Sequence, residues 1–413
     1  MRVILTAILT SFFYIVGAQR HQIYNDRIAS LQVVAGTEWL QLPVIKQNSN
    51  VPVTISFDEL SHVYHRFTYT ITHCEADWTT SEEIFRSDYA GGFTEDIIIE
   101  DVEESTNTNQ LYTHYRFQIP NDNCQLKLSG NYRVDVFDDE SRDTMFTARF
   151  MLAEDIASCN FDILTDTDID VRRNHQQLNL RVDYPSSLGV TDPRTQFRVI
   201  VMQNLRTDNM VICPPAPILS QNSMTWTHTR QLIFTGTNEY HKFEFLDPHR
   251  NSLGVESVKW DGERYNAYLY HDYPRRAYVY DETPKGAFYL RNSDNIENDV
   301  TTDYAIVHFF LDTPRLNGDV YLDGQWTQNS LSEQYRMTYN EEEHCYETAI
   351  PLKMGYYSYQ YVLLRNSNSI NESQQDITTS ETEGDFFETH NIYNVFVYFR
   401  GNGDRTWRLI GTK

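Results

Sequence analysis

Two kinds of side chain alternate along the stretch Leu111-Tyr112-Thr113-His114-Tyr115-Arg116-Phe117-Gln118-Ile119. The odd-numbered positions are mostly apolar, and the even-numbered positions are mostly polar. Successive side chains of a β-strand point to opposite faces, so Tyr115 and Phe117 face away from Arg116. The alternation predicts an antiparallel strand with one face buried and the other exposed to water. The same period of two recurs in runs rich in Thr, Val, Tyr and Phe, as at 51–58, 67–72, 132–136 and 146–152. Helical periodicity is nearly absent, so the predicted fold class is all-β.

The predicted strands fall into three groups, which indicate tandem antiparallel β-sandwich modules of the immunoglobulin-like or early-set-like type. The predicted domains are an N-terminal sandwich at 19–152, a second sandwich at 153–300 and a C-terminal early-set-like sandwich at 301–413. The second group includes strands at 243–245 and 268–280, and the third includes a strand at 393–400. We expect linkers at 153–158 and 292–302, and a mobile loop in the polar, turn-rich stretch 365–384.

Composition excludes several classes of protein. The 413 residues include 34 Lys and Arg against 58 Asp and Glu, a net charge of −24. This excess of negative charge argues against nucleic acid or an anionic membrane surface as a partner, because both would repel the chain. Hydrophobic residues make up 40 % of the chain and aromatic residues 14 %, which is enough apolar surface to exclude disorder.

The N-terminus predicts export. Arg2 precedes a nearly continuous apolar run, Val3–Val16, and the small residues Gly17 and Ala18 follow it. This pattern is typical of a signal peptide, here residues 1–18, with cleavage before Gln19. The run is too short for a stable membrane-spanning helix, which needs about 20 residues. We therefore expect an exported protein with no direct membrane span; a buried N-terminal strand is the alternative.

The chain has five cysteines: Cys74, Cys124, Cys159, Cys213 and Cys345. An odd number leaves at least one unpaired, so at most two disulfides form. The spacings contain no Cys-x-x-Cys pair and no metal-ligand pattern. Small buried hydrophobic residues are the favoured interpretation, and disulfide pairing stays open.

The segment His73-Cys74-Glu75-Ala76-Asp77-Trp78 brings together an imidazole, a thiol and two carboxylates. A thiol with a neighbouring base is a candidate nucleophile. If the strand at 67–72 continues through Cys74, however, His73 and Cys74 point to opposite faces and do not pair. We therefore favour a structural role at a strand end, with Trp78 packing below it.

Acidic clusters give no catalytic or metal site. The segment 166–170 resembles the start of a calcium loop, but Val171 and Gln177 stand where that loop requires Gly and Glu. The pairs Glu103/Glu104 and Asp138/Asp139 lack a surrounding catalytic motif. No catalytic, cofactor-binding or metal-binding residue is assigned, no cofactor or small-molecule substrate is expected, and the chain is predicted not to be an enzyme.

Aromatic residues offer two interpretations. Tyrosines crowd one region, as Tyr265, Tyr268, Tyr270, Tyr273, Tyr278 and Tyr280. On alternating strands such rings pack on each other across the sheet, which is the favoured interpretation. A stacking platform for glycans is the alternative.

Several segments together resemble the type IX secretion system plug proteins. They are 73–78, 89–93, 112–117, 128–132, 236–240, 318–321, 355–361 and 398–400, with the sequences His-Cys-Glu-Ala-Asp-Trp, Tyr-Ala-Gly-Gly-Phe, Tyr-Thr-His-Tyr-Arg-Phe, Leu-Ser-Gly-Asn-Tyr, Gly-Thr-Asn-Glu-Tyr, Gly-Asp-Val-Tyr, Gly-Tyr-Tyr-Ser-Tyr-Gln-Tyr and Tyr-Phe-Arg. Each is short, and the ordered set, which covers nearly the whole chain after residue 18, carries the specificity.

The resemblance implies a non-enzymatic protein of the Bacteroidota periplasm. Plug proteins bind the very large outer-membrane β-barrel translocon of the type IX system and close its periplasmic opening while the pore is idle. No catalytic or metal residues come with the family. Which module contacts the barrel and what releases the plug are left open.

A glycan-binding protein is the competing hypothesis. The segments 318–326 and 355–364 look like the early-set sandwiches that accompany starch-active enzymes. Trp260, Trp326 and Trp407 are the candidate stacking residues under this hypothesis. An accessory domain of a secreted hydrolase is a weaker third hypothesis, because no catalytic framework is visible.

Overall fold

The computed structural model describes residues 20–250, 252–366 and 376–413. Strands hold 46 % of the chain and helices 6 %, so the predicted all-β class is confirmed. The predicted signal peptide lies outside the described residues, as do 367–375 of the predicted loop. The rest of that loop is structured: Ile377–Thr378 is a strand, and Glu383 is buried.

Module one, residues 22–153, is a two-sheet sandwich. Its strands are β1 (Gln22–Ile23), β2 (Ile28–Ala35), β3 (Val44–Lys46), β4 (Val53–Glu59), β5 (Phe67–Cys74), β6 (Ala90–Gly92), β7 (Ile97–Ile98), β8 (Asp101–Glu104), β9 (Thr113–Ile119), β10 (Cys124–Leu126), β11 (Gly130–Asp138) and β12 (Thr144–Ala153). One sheet has the order β1-β12-β11-β5-β7 and the other the order β2-β4-β9-β8. The alternating residues of β4 and β9 meet between the sheets, where the rings of Phe57 and Tyr115 stack at 5.2 Å.

The next strands begin a second sandwich. They are β13 (Ser158–Leu164), β14 (His175–Asp183), β15 (Phe197–Gln203), β16 (Val211–Ile212), β17 (Ile218–Ser220), β18 (Ser223–Trp226) and β19 (Ile233–Thr235). One sheet has the order β13-β14-β18-β17, with β19 paired to β14. Its partner sheet contains only β15 and β16 from this part of the chain.

Module three, residues 241–378, follows. Its strands are β20 (His241–Phe245), β21 (Val255–Trp260), β22 (Tyr265–Leu269), β23 (Phe288–Leu290), β24 (Tyr304–Asp312), β25 (Gly318–Asp323), β26 (Thr338–Asn340), β27 (Cys345–Lys353), β28 (Gly355–Arg365) and β29 (Ile377–Thr378). One sheet has the order β21-β22-β24-β27-β26, and in the other β20, β23, β25 and β29 all pair with β28.

The last two strands, β30 (Tyr393–Phe399) and β31 (Arg408–Thr412), return to the second sandwich. β30 pairs with β15 along its whole length, from Phe197 opposite Phe399 to Gln203 opposite Tyr393. The second sheet of this sandwich is therefore β16-β15-β30-β31. Module two thus consists of residues 158–235 and 393–412, and module three is inserted between its two parts.

This pairing differs from the expected grouping of strands. The strand at 393–400 belongs to the sheets of module two, whereas that at 243–245 belongs to module three. Of the strand expected at 268–280, only 268–269 lie in a strand, at the end of β22 in module three, and the rest of that expectation is wrong. The segment 292–302 lies between two strands of module three and is not a linker. Alternation predicts a strand and its buried face but carries no information about a partner nearly 200 residues away. The domain limits as such remain a prediction.

Helices are short. The α-helices are α1 (Arg86–Tyr89), α2 (Pro193–Gln196) and α3 (Asn298–Thr301), and 3₁₀ turns lie at Ser186–Leu188, Arg230–Leu232, Gln325–Thr327 and Glu333–Tyr335. None of the helices in the described ranges is long and apolar enough to cross a membrane.

Candidate functional site between the modules

The His73–Trp78 segment lies where module one meets module two. His73 turns toward the core of module one, where its ring meets that of Tyr132 edge-on at 5.1 Å. Its Nδ1 bonds the Ser81 hydroxyl at 2.9 Å, and its Nε2 bonds the Ser129 carbonyl at 3.1 Å. Cys74 points the other way, into an apolar cluster shared with module two. The predicted opposite orientation of these two side chains is therefore confirmed.

Neither group is suited to nucleophilic chemistry. Burial raises the pKa of the Cys74 thiol to about 11, so the reactive thiolate is scarce near pH 7. Burial also lowers the pKa of His73. The imidazole is held neutral between fixed hydrogen-bonding partners, as expected of a structural residue.

Other family-like segments complete this first junction. The carboxylate of Glu75 accepts hydrogen bonds from the Thr406 hydroxyl at 2.8 Å and the Trp407 backbone N–H at 3.2 Å. The Tyr398 hydroxyl donates to the Asn131 side-chain oxygen at 2.8 Å. The short segments at 73–78, 128–132 and 398–400, far apart in sequence, thus meet at one interface.

A buried ion pair joins module one to module three. Lys353 Nζ lies 2.7 Å from an Asp58 carboxylate oxygen, and their side chains are 1 % and 0 % exposed. His114 Nδ1 and the Tyr304 hydroxyl also bond this carboxylate, each at 2.7 Å. Burial favours the neutral acid, but Lys353 and His114 outweigh it and lower the pKa of Asp58. Asp58 therefore remains ionised with each of its oxygens bonded.

Tyr112 closes this second junction. Its ring centroid lies 4.2 Å from Lys353 Nζ, a cation–π contact. Its hydroxyl donates to the carbonyl oxygens of Thr302 at 2.8 Å and Asp299 at 3.1 Å. The segment predicted as a second linker is thus bound to module one.

The Gly236–Tyr240 segment connects module two to module three. Glu239, 1 % exposed, forms an ion pair with the buried Lys285 and accepts a hydrogen bond from the Tyr278 hydroxyl at 3.0 Å. The Asn238 amide donates to the Glu383 carbonyl at 2.8 Å. The outgoing and returning connections of the inserted module are therefore fastened together.

Next to this connection lies a second buried charge cluster. His241 Nδ1 is 2.8 Å from Asp272, and its Nε2 is 2.9 Å from Glu383. Burial disfavours the charged ring, but the two carboxylates outweigh it and raise the pKa of His241 to about 10. The ring is therefore an imidazolium at pH 7 and has no free lone pair to act as a base.

A partly enclosed cavity of about 100 Å³ lies among all three modules. Trp39, Trp78 and Arg149 of module one, Met202 of module two and Phe288 of module three are among the residues that line it. Its walls are mostly apolar, and they include the same surfaces that form the junctions.

The acidic segment at 166–170 is an edge turn with local partners. Asp168 bonds Gln177 and His228, and Asp170 bonds His175 at 2.6 Å. Among the described residues, no group of three His, Cys, Asp or Glu side chains is placed to hold a metal ion.

The acidic pairs lie in solvated or turn positions. Glu104 is exposed and lies 3.3 Å from His62, and its neighbour Glu103 is exposed on the same strand. Asp138 accepts two backbone hydrogen bonds in a turn, and Asp139 lies 3.2 Å from Arg66.

The structure divides the tyrosine run. Tyr268 stacks on His308 at 4.2 Å, and Tyr265 packs against Trp260 at 4.8 Å, as across-sheet packing predicts. Tyr270, Tyr273 and Tyr280, in the segment after β22, are exposed by 57–65 %.

Two of the three candidate glycan-stacking tryptophans are engaged within the protein, whereas Trp260 is 49 % exposed. Trp326 is 6 % exposed, packs between Phe309 and Tyr357, and donates its indole N–H to the Ser358 carbonyl at 3.0 Å. Trp407 lies against the first junction with the Arg198 guanidinium 5.1 Å from its ring. Trp326 is therefore a core residue, and the assignment of a glycan-binding role to it is wrong.

All five cysteines are free thiols. Cys213 is partly buried and the others are buried, as their interpretation as small hydrophobic residues predicts.

Sequence reasoning missed the ion pair between Asp58 and Lys353. Asp58 lies on the face of β4 that the alternation marks as exposed to water, and module three covers that face. A carboxylate is common on the water-facing side of a strand, so nothing in the local sequence indicated that Asp58 is buried in an ion pair.

Comparison with known proteins identifies the family. A family described as the type 9 secretion system plug protein first domain matches residues 28–154, which is module one without its first strand. The crystal structure of a hypothetical protein from Parabacteroides merdae is 34 % identical and superposes with a TM-score of 0.89, covering 96 % of this chain and 98 % of that one. No curated protein matches this chain.

The fold is that of a three-module β-sandwich protein, and its family-like segments lie largely at the interfaces between modules. The chain belongs to the type IX secretion system plug protein family.

Proposed function

We propose that the protein is an exported, periplasmic plug that binds the outer-membrane β-barrel translocon of the type IX secretion system and seals its periplasmic opening when the pore is idle. The observation that carries this proposal is membership of the plug family, with the family's first domain matched over residues 28–154. The family suggests a location at the periplasmic face of the outer membrane. The predicted signal peptide agrees with export to that compartment.

The three junctions give the molecule the mechanical property that a stopper needs. Each pair of modules is joined by buried or half-buried groups: Asp58 with Lys353, Glu75 with Thr406, and Glu239 with Lys285. Relative domain motion is the default where interfaces are small and wet. Here the junctions form a closed ring of three interfaces, so bending at one of them strains the other two.

The surface also suits reversible protein binding. The segment after β22 exposes Tyr270, Tyr273, Val279 and Tyr280. Tyrosine contributes a large contact area at low conformational cost and is enriched at interfaces. The net charge of −24 keeps the free protein in solution and complements basic groups on a partner.

The direct test is a pull-down with a C-terminal affinity tag from detergent-solubilised outer membranes of the native organism. We expect one very large β-barrel subunit at near-equal stoichiometry, in particles that lack the cargo shuttle at the lateral gate. Recovery of the tagged protein alone, or with polysaccharide, would contradict the proposal.

A genetic test measures whether the protein keeps the outer membrane closed. A clean deletion is expected to make the outer membrane permeable to large antibiotics wherever the barrel is present, and the wild-type gene should restore the barrier. Lys46→Met, which removes an exposed ion pair with Asp155, is the matched control and should also restore it. Unchanged permeability in the deletion strain would exclude the stopper role.

A further inference from the structure

The central cavity contains a buried cation without a counter-ion. Arg149 lies on β12 and is 9 % exposed. One guanidinium nitrogen donates to the Arg20 carbonyl, but no carboxylate among the described residues forms an ion pair with it. A buried guanidinium normally has a charged partner, because removing an unpaired ion from water is strongly unfavourable.

The carboxylates whose charges act on Arg149 and Arg20 are already engaged. Asp135 faces Thr147 across the sheet, one diagonal step from Arg149. Its carboxylate is bonded to Arg133 at 2.9 Å and to the Thr147 hydroxyl at 2.7 Å. Asp208, whose charge opposes the lowering of the Arg20 pKa by burial, pairs with the buried Arg206.

The other neighbours add no negative charge. His21 accepts the Arg149 backbone N–H at 3.1 Å. Burial and the nearby Arg149 lower its pKa to about 3, so the ring is neutral. Arg20 is a second cation on the cavity wall, and it donates to the Asn329 carbonyl at 2.8 Å.

Three buried polar atoms of residues that line the cavity lack a hydrogen-bonding partner. They are Arg149 Nε, Gln325 Nε2 and Gln328 Oε1. Their residues belong to module one and module three, and buried polar groups are normally satisfied. Two of the three are donors, and one of these belongs to an uncompensated cation. This donor set fits an anion better than it fits an apolar molecule or a cation.

The remaining walls restrict the ligand further. Trp39, Trp78, Met202 and Phe288 provide apolar surface. The volume of about 100 Å³ is below that of cavities known to hold a benzene molecule, on the order of 150 Å³, so the ligand body must be small. We propose that the cavity is a binding site for a small monocarboxylate with a compact apolar body, whose carboxylate pairs with Arg149 and whose body packs on the aromatic wall.

This site is distinct from the plug role, since it lies inside the molecule between the modules. Its occupant touches all three modules at once. Binding therefore stabilises the junctions against separation, because a ligand that binds only the folded form shifts the folding equilibrium toward that form.

The test uses three nearly isosteric probes, benzoate, benzamide and benzamidine, with isobutyrate and isobutyramide as smaller counterparts. The protein beginning at Gln19 is titrated with each probe by thermal denaturation and by saturation-transfer NMR. We expect at least one carboxylate to raise Tm and to receive saturation, with Kd on the order of tenfold or more below that of its amide. No binding by either carboxylate, or equal binding of acid and amide, would overturn the proposal.

Arg149→Met preserves the bulk of the side chain and removes its charge. We expect this variant to lose the preference for carboxylate over amide while its own Tm stays equal to or above that of the wild type, since an uncompensated charge is gone. Arg181→Met is the matched control, because the Arg181 side chain is exposed, pairs with Asp183 on the same strand and does not line the cavity. A carboxylate preference that persists in Arg149→Met would refute the site.

Discussion

At the scale of single residues, buried charges hold this molecule together. Asp58 and Lys353 come from different modules and are almost fully shielded from water. A pair of this kind contributes little net stability compared with apolar packing, but it is strongly unfavourable when one partner is missing. It therefore fixes how module three sits on module one, since any other placement leaves a charge buried alone.

Lys353→Met should lower the free energy of unfolding by about 3–5 kcal/mol, because Asp58 is left buried without its cation. Denaturant titration followed by tryptophan fluorescence measures the change. The double variant Asp58→Asn/Lys353→Met should recover much of the loss, and Lys46→Met at an exposed pair should change stability by less than about 1 kcal/mol. Equal effects of Lys353→Met and Lys46→Met on stability would contradict a buried ion pair between Asp58 and Lys353.

His241 gives the protein a pH dependence with a defined sign. Its pKa is about 10 in the folded chain and about 6.5 when unfolded. The stabilisation is complete below pH 6.5 and is lost as the pH rises toward 10, since the unfolded chain then releases the proton first.

The stability difference between the wild type and His241→Gln should therefore be largest below pH 6.5 and shrink steadily toward pH 10. Chemical denaturation at several pH values measures it. His228→Gln is the control, because the side chain of His228 is 81 % exposed and carries no such buried cluster. A difference that is constant with pH would show that His241 is not charged in the folded chain.

At the scale of the elements, the decisive feature is the return of the chain to module two. β30 and β31 supply half of a four-stranded sheet, and Val395, Val397 and Ile410 are fully buried in the core of that module. Without these strands β15 would be an exposed edge over an open core.

Truncation after Asn391 should therefore unfold module two, although the removed residues lie more than 150 positions away from β19. Burial of each large apolar side chain contributes roughly 1.5–3 kcal/mol, and the loss of several exceeds the usual margin of about 5–15 kcal/mol for a domain. Hydrogen exchange should show loss of protection in β13–β19. Retained protection there would indicate that residues 158–235 form a sandwich on their own.

At the scale of the whole molecule, three junctions connect the modules. The apolar cluster between modules one and two joins Cys74, Met151, Met202 and Phe396. The other two junctions bury the ion pairs of Lys353 and Lys285. Interfaces of this kind couple the unfolding of the parts that they connect.

We expect a single calorimetric unfolding transition whose van't Hoff enthalpy equals the calorimetric enthalpy for the full chain. Lys353→Met weakens one of the junctions and should split or broaden this transition. Three independent transitions in the wild type would show that the modules are only loosely tethered.

The all-β class, the opposite orientation of His73 and Cys74, and the family could be predicted from the sequence, because alternation and short ordered segments are local properties. The pairing of Tyr393–Phe399 with module two could not be predicted in this way. Nor could the covering of the polar face that carries Asp58 by module three, or the burial of Trp326 in a core. The reason is physical: a strand's sequence specifies which face is apolar, whereas its partner and the cover over its polar face depend on complementary surfaces brought together from distant parts of the chain.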